Sequence, residues 1–296
     1  MLNVVLDIDD TLVKHIKRAV VPLVSNLSDF ETEPSRSGLF ALRPHLDEFM
    51  AYLFENHNVS IWTWSDDGYA HLVASILKRR YEDAHPGKTA RFKDILSAED
   101  ADLSSEVHGH HGKDLNWLWY DFNKEFVETF SKITPKNAKE EDHKKRALAA
   151  IEQLEERNAN IAKTNKKLIE KEQEPYFAGE KEFVTGYAPC NTILVDDADY
   201  NYVVPGTREN MIKIKPFGGK TETKGDELVA PTLDKDDTSL LTAIQILKSI
   251  KPDCEGDKKH ELLFIDGGPK AGRRRGKRHT LKRRRLHQRK RFTRRA

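Results

Sequence analysis

Short apolar runs divide this chain, and several of them end in acid or hydroxyl residues. Asn3-Val-Val-Leu6 leads into Asp7-Ile-Asp-Asp-Thr11, Val59-Ser-Ile-Trp62 into Thr63, and Thr192-Ile-Leu-Val195 into Asp196-Asp197. Unbroken runs of this length suit strands covered on both faces, each followed by a polar loop. Between them the spacing changes to a helical period. Pro44 opens a pattern in which Leu46, Phe49, Met50 and Leu53 share one face, and Leu72, Ile76 and Leu77 mark a helix over Tyr69–Arg80. A further helix is predicted over Thr238–Ile250, and residues 14–41 lack a long period and read as a loop or small hairpin. Strands alternating with helices predict an α/β fold, a Rossmann-like parallel sheet with helices on both faces.

Residues 122–189 break this rhythm. From Lys136 to Glu174 the chain is rich in Lys, Glu, Ala and Asn, with no glycine and no internal proline. Ile151, Leu154, Asn158, Ile161, Asn165 and Leu168 follow a three-four spacing. Two readings stand: a coiled coil that pairs with a second copy or a partner helix, its Asn residues setting register, or a solvated helix or a hairpin turning near Asn158-Ala-Asn160 and packed on its own domain. The predicted organisation is a catalytic domain in two parts, 1–121 and 190–251, around a helical insert at 122–189. A linker at 252–269 and a basic tail at 270–296 follow.

Charge sharpens the last boundary. Residues 270–296 hold 15 Lys or Arg and no acid, so of the chain's 50 basic residues 35 remain to face its 48 acids, a body of net charge −13. With almost no large apolar side chains, the tail is predicted to be disordered. Its Arg273, Arg274, Arg275, Lys277, Arg278, Lys282, Arg283, Arg284 and Arg285 are candidates for nucleic-acid contact through phosphates, which carries no base specificity, or for nuclear targeting. No run approaches the roughly 20 apolar residues of a membrane span, and the first residues lack the pattern of a secretory signal. Two distant cysteines, Cys190 and Cys254, imply no disulfide framework, so an intracellular, reducing compartment is expected.

The acids at the strand ends carry the candidate chemistry. In an open parallel sheet, ligands bind beyond the carboxyl ends of the strands, where Asp7 stands. A carboxylate there can attack phosphorus and form an aspartyl-phosphate, and Asp9 can turn back from the loop as general acid and base. Thr63 offers a hydroxyl to phosphoryl oxygens, and Lys113, in Gly112-Lys-Asp-Leu115, offers a positive charge. Asp196 and Asp197 offer hard oxygen ligands of the kind magnesium takes. A divalent cation and one lysine would offset the repulsion between a phosphate dianion and these carboxylates. His108, His110 and His111 suggest a weaker metal site, and Trp62, Trp64, Trp117 and Trp119 read as core or pocket wall.

The order acid pair, hydroxyl, lysine, acid pair resembles the four motifs of the haloacid dehalogenase superfamily. Val5-Leu-Asp-Ile-Asp-Asp-Thr-Leu-Val13, Leu42-Arg-Pro-His-Leu-Asp-Glu-Phe49, Val59-Ser-Ile-Trp-Thr63, Tyr69-Ala70, Lys113-Asp-Leu115, Ile193-Leu-Val-Asp-Asp197 and the stretch from Asn210 to Phe217 narrow the resemblance. They are similar to the family of RNA polymerase II C-terminal-domain phosphatases and NLI-interacting-factor-like phosphatases. The resemblance implies Asp7 as nucleophile and magnesium ligand, and Asp9 as acid/base with its backbone carbonyl on Mg²⁺. It further implies Thr63 and Lys113 as phosphate-binding groups, and Asp196 and Asp197 as metal ligands, Asp197 the more direct. It implies action on phosphoserine or phosphothreonine in proteins, often in disordered tails. The sequence departs from the pattern in Trp62-Thr-Trp-Ser65, where relatives carry smaller residues after Thr, and in the 83 positions that separate Lys113 from Asp196. A magnesium-dependent protein Ser/Thr phosphatase is therefore expected. The alternatives are a catalytically silent scaffold that binds nucleic acid or protein, and a small-molecule phosphatase of the same superfamily.

Overall fold

A computed structural model of the chain describes residues 1–109, 111–172, 179–202, 204, 206–218, 223–224, 227–228, 230–251 and 263–264. The buried run Asn3–Leu6 forms β1. The chain continues through β2 (Val13–Lys17), β3 (Thr32–Pro34), β4 (Gly38–Leu42), α1 (Leu46–Asn56), β5 (Asn58–Trp62), α2 (Asp67–Ala84), β6 (Phe92–Leu96) and α3 (Ala98–His108). After a π-helical turn at Trp117–Asp121 come α4 (Lys124–Ser131), α5 (Ala138–Ile169), β7 (Thr192–Asp196), α6 (Asp199–Tyr202) and β8 (Met211–Lys213). A small antiparallel pair, β9 (Thr223–Lys224) and β10 (Glu227–Leu228), is followed by α7 (Ser239–Ser249) and β11 (Leu263–Phe264).

Six strands build one parallel sheet in the order β11-β8-β7-β1-β5-β6. The expected parallel α/β arrangement is present, with β1 at its centre. Successive side chains in a strand point to opposite faces, and the two cores follow that alternation. Val4, Leu6, Val59, Ile61, Ile193 and Val195 pack with α1, α2 and α7, whereas Val5, Trp62 and Leu194 pack on the other face with Leu115, Trp117 and Phe122. Each large side chain so buried contributes about 1.5–3 kcal/mol. Trp117 and Phe122 stack with centroids 4.4 Å apart, which adds about 0.5–1.5 kcal/mol.

Residues 14–41 are more regular than the loop or small hairpin their mixed pattern predicts. They contribute most of a three-stranded antiparallel sheet in the order β2-β4-β3. Its core, with Ile16, Val20, Val24 and Ala41, takes two of its six buried members, Phe217 and Leu233, from residues more than 170 positions away, which no local period can announce.

The insert begins and ends at one place. Lys124 N donates to Val184 O (2.9 Å), Val184 N to Phe122 O (3.0 Å), and the Asn123 amide reaches both Leu118 O (3.2 Å) and Tyr187 O (3.1 Å). Ends this close let a long helix interrupt the chain without disturbing the sheet. The helix runs unbroken through Asn158-Ala-Asn160, so the hairpin reading is corrected: α5 is one helix of 32 residues. Its seam faces its own domain. Ile161 is buried, Leu154 packs beside the Trp117 core, and Arg157 reaches Asp100 (2.5 Å). Asn158 exchanges two hydrogen bonds with the backbone of Lys181, at 2.9 and 2.8 Å. The Asn at the predicted coiled-coil position thus satisfies the backbone of a loop segment of its own chain.

Cys190 is disulfide-bonded, contrary to the expectation that no disulfide forms, and the inference of a reducing compartment loses that support. Among the described residues no helix is long and apolar enough to cross a membrane. The described residues all fall in one compact unit. The tail, with Arg273, Arg274, Arg275, Lys277, Arg278, Lys282, Arg283, Arg284 and Arg285, lies outside the described residues, as does nearly all of the linker.

Candidate active site

Three strands deliver their acids and hydroxyl to one edge of the sheet. Asp7 follows β1 and donates its backbone N–H to Val195 O (3.0 Å), Thr63 follows β5 with its N–H on Leu96 O (3.0 Å), and Asp196 ends β7. Lys113 arrives by another route. Gly112 before it has φ +144, and a Cβ there would stand 2.5 Å from Val204 and 3.2 Å from Asn201 Oδ1. Only glycine lets the backbone come this close to α6. The next residue is then clamped: Lys113 N donates to Asn201 Oδ1 (2.8 Å), and Thr207 Oγ1 donates to Lys113 O (2.6 Å).

The Lys113 ammonium is fully buried and hydrogen-bonds both Asp7 and Asp196, the latter at 2.8 Å. Asp196 also accepts from Asn201 Nδ2 (2.8 Å) and from Ala198 N (2.7 Å). Thr11 Oγ1 stands 3.2 Å from Asp7 and 3.1 Å from Asp197, and accepts from Asp197 N (3.2 Å). Burial and the neighbouring Asp196 and Asp197 push the Asp7 carboxyl well up, against the pull of Lys113. Burial, Asp196 and Asp10 push Asp197 up to about 7. For Lys113 burial works downward, but Asp196 and Asp7 outweigh it and hold the ammonium charged. The centre therefore carries more negative charge than its lysine offsets.

Asp9 stands apart from these carboxylates. Its Oδ2 accepts from Ser65 Oγ (2.9 Å) and its Oδ1 from the Tyr69 hydroxyl. Asp7, Asp9, Thr63 and Asp197 line one side of a cavity of about 350 Å³. Trp64 and Tyr200 wall it, with the exposed His111 ring between them, 4.5 and 5.1 Å from theirs. Behind it Arg43, itself buried, hydrogen-bonds the carbonyls of Asp10 (3.2 Å), Thr11 (2.9 Å) and Lys215 (2.6 Å) and the Asp237 carboxylate (2.7 Å). It ties the loop after β1 to the start of α7.

Oxygens of Asp7, Asp196 and Asp197 lie within 4.8 Å of one another and form the metal-capable group among the described residues. All-carboxylate donors with uncompensated charge fit a hard divalent cation. Asp197 combines burial with a raised carboxyl, so ionising it opposes folding: the cost begins above the unfolded value near 4 and grows until pH passes about 7. Asp197→Asn is accordingly expected to stabilise the metal-free protein at neutral pH by on the order of 2 kcal/mol. Millimolar Mg²⁺ is expected to raise the Tm of the wild type but not of this variant, since a ligand that binds only the folded state stabilises it. Thermal melts with Mg²⁺ and with EDTA measure both effects, and a variant that keeps the full Mg²⁺ response would remove Asp197 from the metal site.

The histidines do not converge as a metal site. His108 pairs with Asp121 (3.0 Å) and Asp114 (3.5 Å), His111 lies at the cavity wall, and His110 is outside the described residues. Trp62, Trp117 and Trp119 are core, and Trp64 is pocket wall. Sequence reasoning gave no role to Thr11, Arg43, Ser65, Tyr69, Asn201 or Thr207. Thr11, Arg43 and Tyr69 fall inside the motif stretches, which was a signal; Asn201 and Thr207 carried none.

Comparison with known proteins covers the part of the chain that holds Asp7, Asp9, Thr63 and Lys113. The sequence model of the family described as "NLI interacting factor-like phosphatase" matches residues 2–127, which hold Asp7, Asp9, Thr63 and Lys113 but not Asp196 or Asp197. A putative CTD phosphatase-like protein of Invertebrate iridescent virus 6 is 34% identical over 91 residues, 27% of this chain and 47% of that protein. This chain thus spans about half the length of that relative. Among solved structures, Fcp1, an essential RNA polymerase II CTD phosphatase, aligns with a TM-score of 0.40 at 15% identity, over 83% of this chain and 61% of that one. Fission yeast Fcp1-R271A bound to beryllium fluoride aligns with a TM-score of 0.25 at 20% identity, over 62% and 59%.

Proposed function

We propose that this chain, whose residues 2–127 match the sequence model of NLI interacting factor-like phosphatases, is a magnesium-dependent phosphomonoester hydrolase acting through an aspartyl-phosphate. One observation carries the reading. Asp7, Asp9 and Asp197 line one cavity, and the fully buried Lys113 bonds Asp7 and Asp196, whose oxygens cluster with that of Asp197. In this reading an oxygen of Asp7 attacks phosphorus, the bond from phosphorus to the leaving oxygen breaks, and that oxygen takes a proton from Asp9. A water then attacks the same phosphorus and gives its proton to Asp9. The bond between phosphorus and Asp7 breaks, freeing phosphate and restoring both carboxyl groups. Lys113 and the Thr63 hydroxyl hold phosphoryl oxygens. Asp7, Asp196 and Asp197, with the Asp9 carbonyl, would hold a magnesium ion, which when bound would supply the positive charge that these acids lack.

The substrate class proposed is phosphoserine or phosphothreonine in a protein, in keeping with the CTD phosphatase-like name of the viral relative. A nuclear location and salt-sensitive contact of residues 270–296 with nucleic acid complete the proposal. The test is a panel in Mg²⁺ of phosphoserine and phosphothreonine peptides, sugar phosphates and nucleotides. The expected result is a kcat/KM for the peptides at least about tenfold above the small molecules, a difference of about 1.4 kcal/mol. Equal or better turnover of a sugar phosphate or nucleotide would replace the protein substrate with a small one.

A further inference from the structure

Both oxygens of the Asp9 carboxylate are engaged, one by Tyr69 and one by Ser65. The two donors differ in how they are held. Ser65 is fixed only through its backbone, where its N–H donates to Thr63 Oγ1 (3.1 Å) and its carbonyl accepts from Ala98 N (2.9 Å). Its hydroxyl rotates about one bond and can donate or accept. Tyr69 is held at both ends. Its backbone N–H is capped by the Asp66 carboxylate at the start of α2 (2.9 Å). Its ring meets Phe40 edge-on, with centroids 5.5 Å apart, and His15 at 6.0 Å. Those two rings come from β4 and β2, paired opposite each other in the antiparallel sheet. His15 is itself tied to Ser35 Oγ (3.0 Å), at the turn between β3 and β4.

An acid/base on a loop must present one oxygen to the reacting atoms in each half of the reaction. When Asp9 takes up a proton, the oxygen that bears it keeps a weaker acceptor site for its donor. The rotatable serine hydroxyl can reverse in place, and the braced phenol cannot move without displacing Phe40 and His15. We propose that Tyr69, braced by the small antiparallel sheet, is the positioning residue that fixes Asp9 for proton transfer, with Ser65 the less constrained of its two donors. Burial and the adjacent Asp9 push the Tyr69 hydroxyl far above its ordinary value, which keeps it a donor at every working pH. The proposal rests on the reading of Asp9 as acid and base, and it gives the sheet formed by residues 13–42 a function: it sets the aim of a group that it does not contain.

The test uses the leaving group. kcat/KM covers the steps up to transfer of phosphorus to Asp7, with departure of the leaving oxygen. A serine alkoxide needs a proton to depart; p-nitrophenolate does not. Tyr69→Phe keeps the ring and its packing and removes only the hydroxyl. It is expected to lower kcat/KM on a phosphoserine peptide by about 10- to 100-fold and on p-nitrophenyl phosphate by less than about 3-fold, within the range that a positioned general acid contributes. Its Mg²⁺-induced rise in Tm should equal that of the wild type. Ser65→Ala should cost less than Tyr69→Phe on the peptide. Asp9→Asn should show the same dependence on leaving group with a larger amplitude. An Asp9→Asn variant without that dependence would remove the acid/base reading and this proposal with it. Asp9→Asn with the dependence and Tyr69→Phe without it, or with equal losses on both substrates, would overturn the positioning role alone. Ser65→Ala matching Tyr69→Phe would overturn the division of labour between them.

Discussion

Asp7→Asn is expected to abolish turnover of p-nitrophenyl phosphate in Mg²⁺, with a fall in kcat of at least about 10³-fold, while the protein stays folded. A carboxamide cannot attack phosphorus, and the neighbouring acids already have other work: Asp196 is fully buried and engaged by Lys113, Asn201 and Ala198, Asp197 is assigned to the metal, and Asp9 is held by Ser65 and Tyr69. The fold should not suffer, because the wild-type carboxylate is itself held against the cost of burial and the repulsion of two neighbouring acids. Lys113 keeps Asp196 as its partner in the variant, so no buried charge is left uncompensated. Turnover and thermal melts on one preparation separate the two outcomes. Undiminished turnover would rule out the aspartyl-phosphate mechanism. If Asp7→Asn were silent in cells while removal of residues 270–296 abolished function, a scaffold would replace the enzyme.

Arg43→Ala should have the largest effect on stability. The guanidinium serves four acceptors from three separate segments, with the ring of Phe217 at 5.6 Å. Removing it strands a buried carboxylate and three carbonyls, which costs about 3–5 kcal/mol and lowers Tm by roughly 10 °C. Arg43→Lys should recover little, since one ammonium cannot reproduce the planar fork. The effect also has a signature in pH. Burial alone would raise the Asp237 carboxyl, but hydrogen bonds and charge from Arg43, with help from Ser239, hold it below the ordinary carboxylate value. A carboxyl depressed in the folded state contributes stability that is complete above its unfolded value near 4 and disappears as pH falls through the folded value. The gap in stability between wild type and Arg43→Ala should therefore narrow below about pH 4. Denaturant unfolding at several pH values measures it, and a gap independent of pH would mean that the Asp237 pair is not its source.

Much of this site was legible in the chain because strand ends and ligand positions coincide in a parallel sheet. Apolar runs at Asn3–Leu6, Asn58–Trp62 and Thr192–Asp196 are local features, and the residues directly after or ending them are the ones the sheet gathers at one edge. Lys113 was legible only through its motif; its approach depends on Gly112 passing close to Val204 and Asn201, residues about 90 positions later. The Asn residues of α5 misled in an instructive way. A polar residue on an apolar seam calls for a hydrogen-bonding partner, but the spacing does not say whether a second helix or a nearby loop supplies it, and here Lys181 does for Asn158.

By itself the sequence determined β1, β5 and β7, the helices α1, α2, α5 and α7 in outline, and which acids and hydroxyl stand at those strand ends, since each is set by the spacing of neighbouring residues. Tertiary structure decided the rest: that Asp9 turns to Ser65 and Tyr69 while Asp7, Asp196 and Asp197 cluster, that residues 13–42 brace Tyr69, and that α5 faces its own domain. The physical reason is common to all three. Each is a choice of partner for a polar group or an apolar face, and that choice depends on what packing brings within about 3 Å of it from distant parts of the chain.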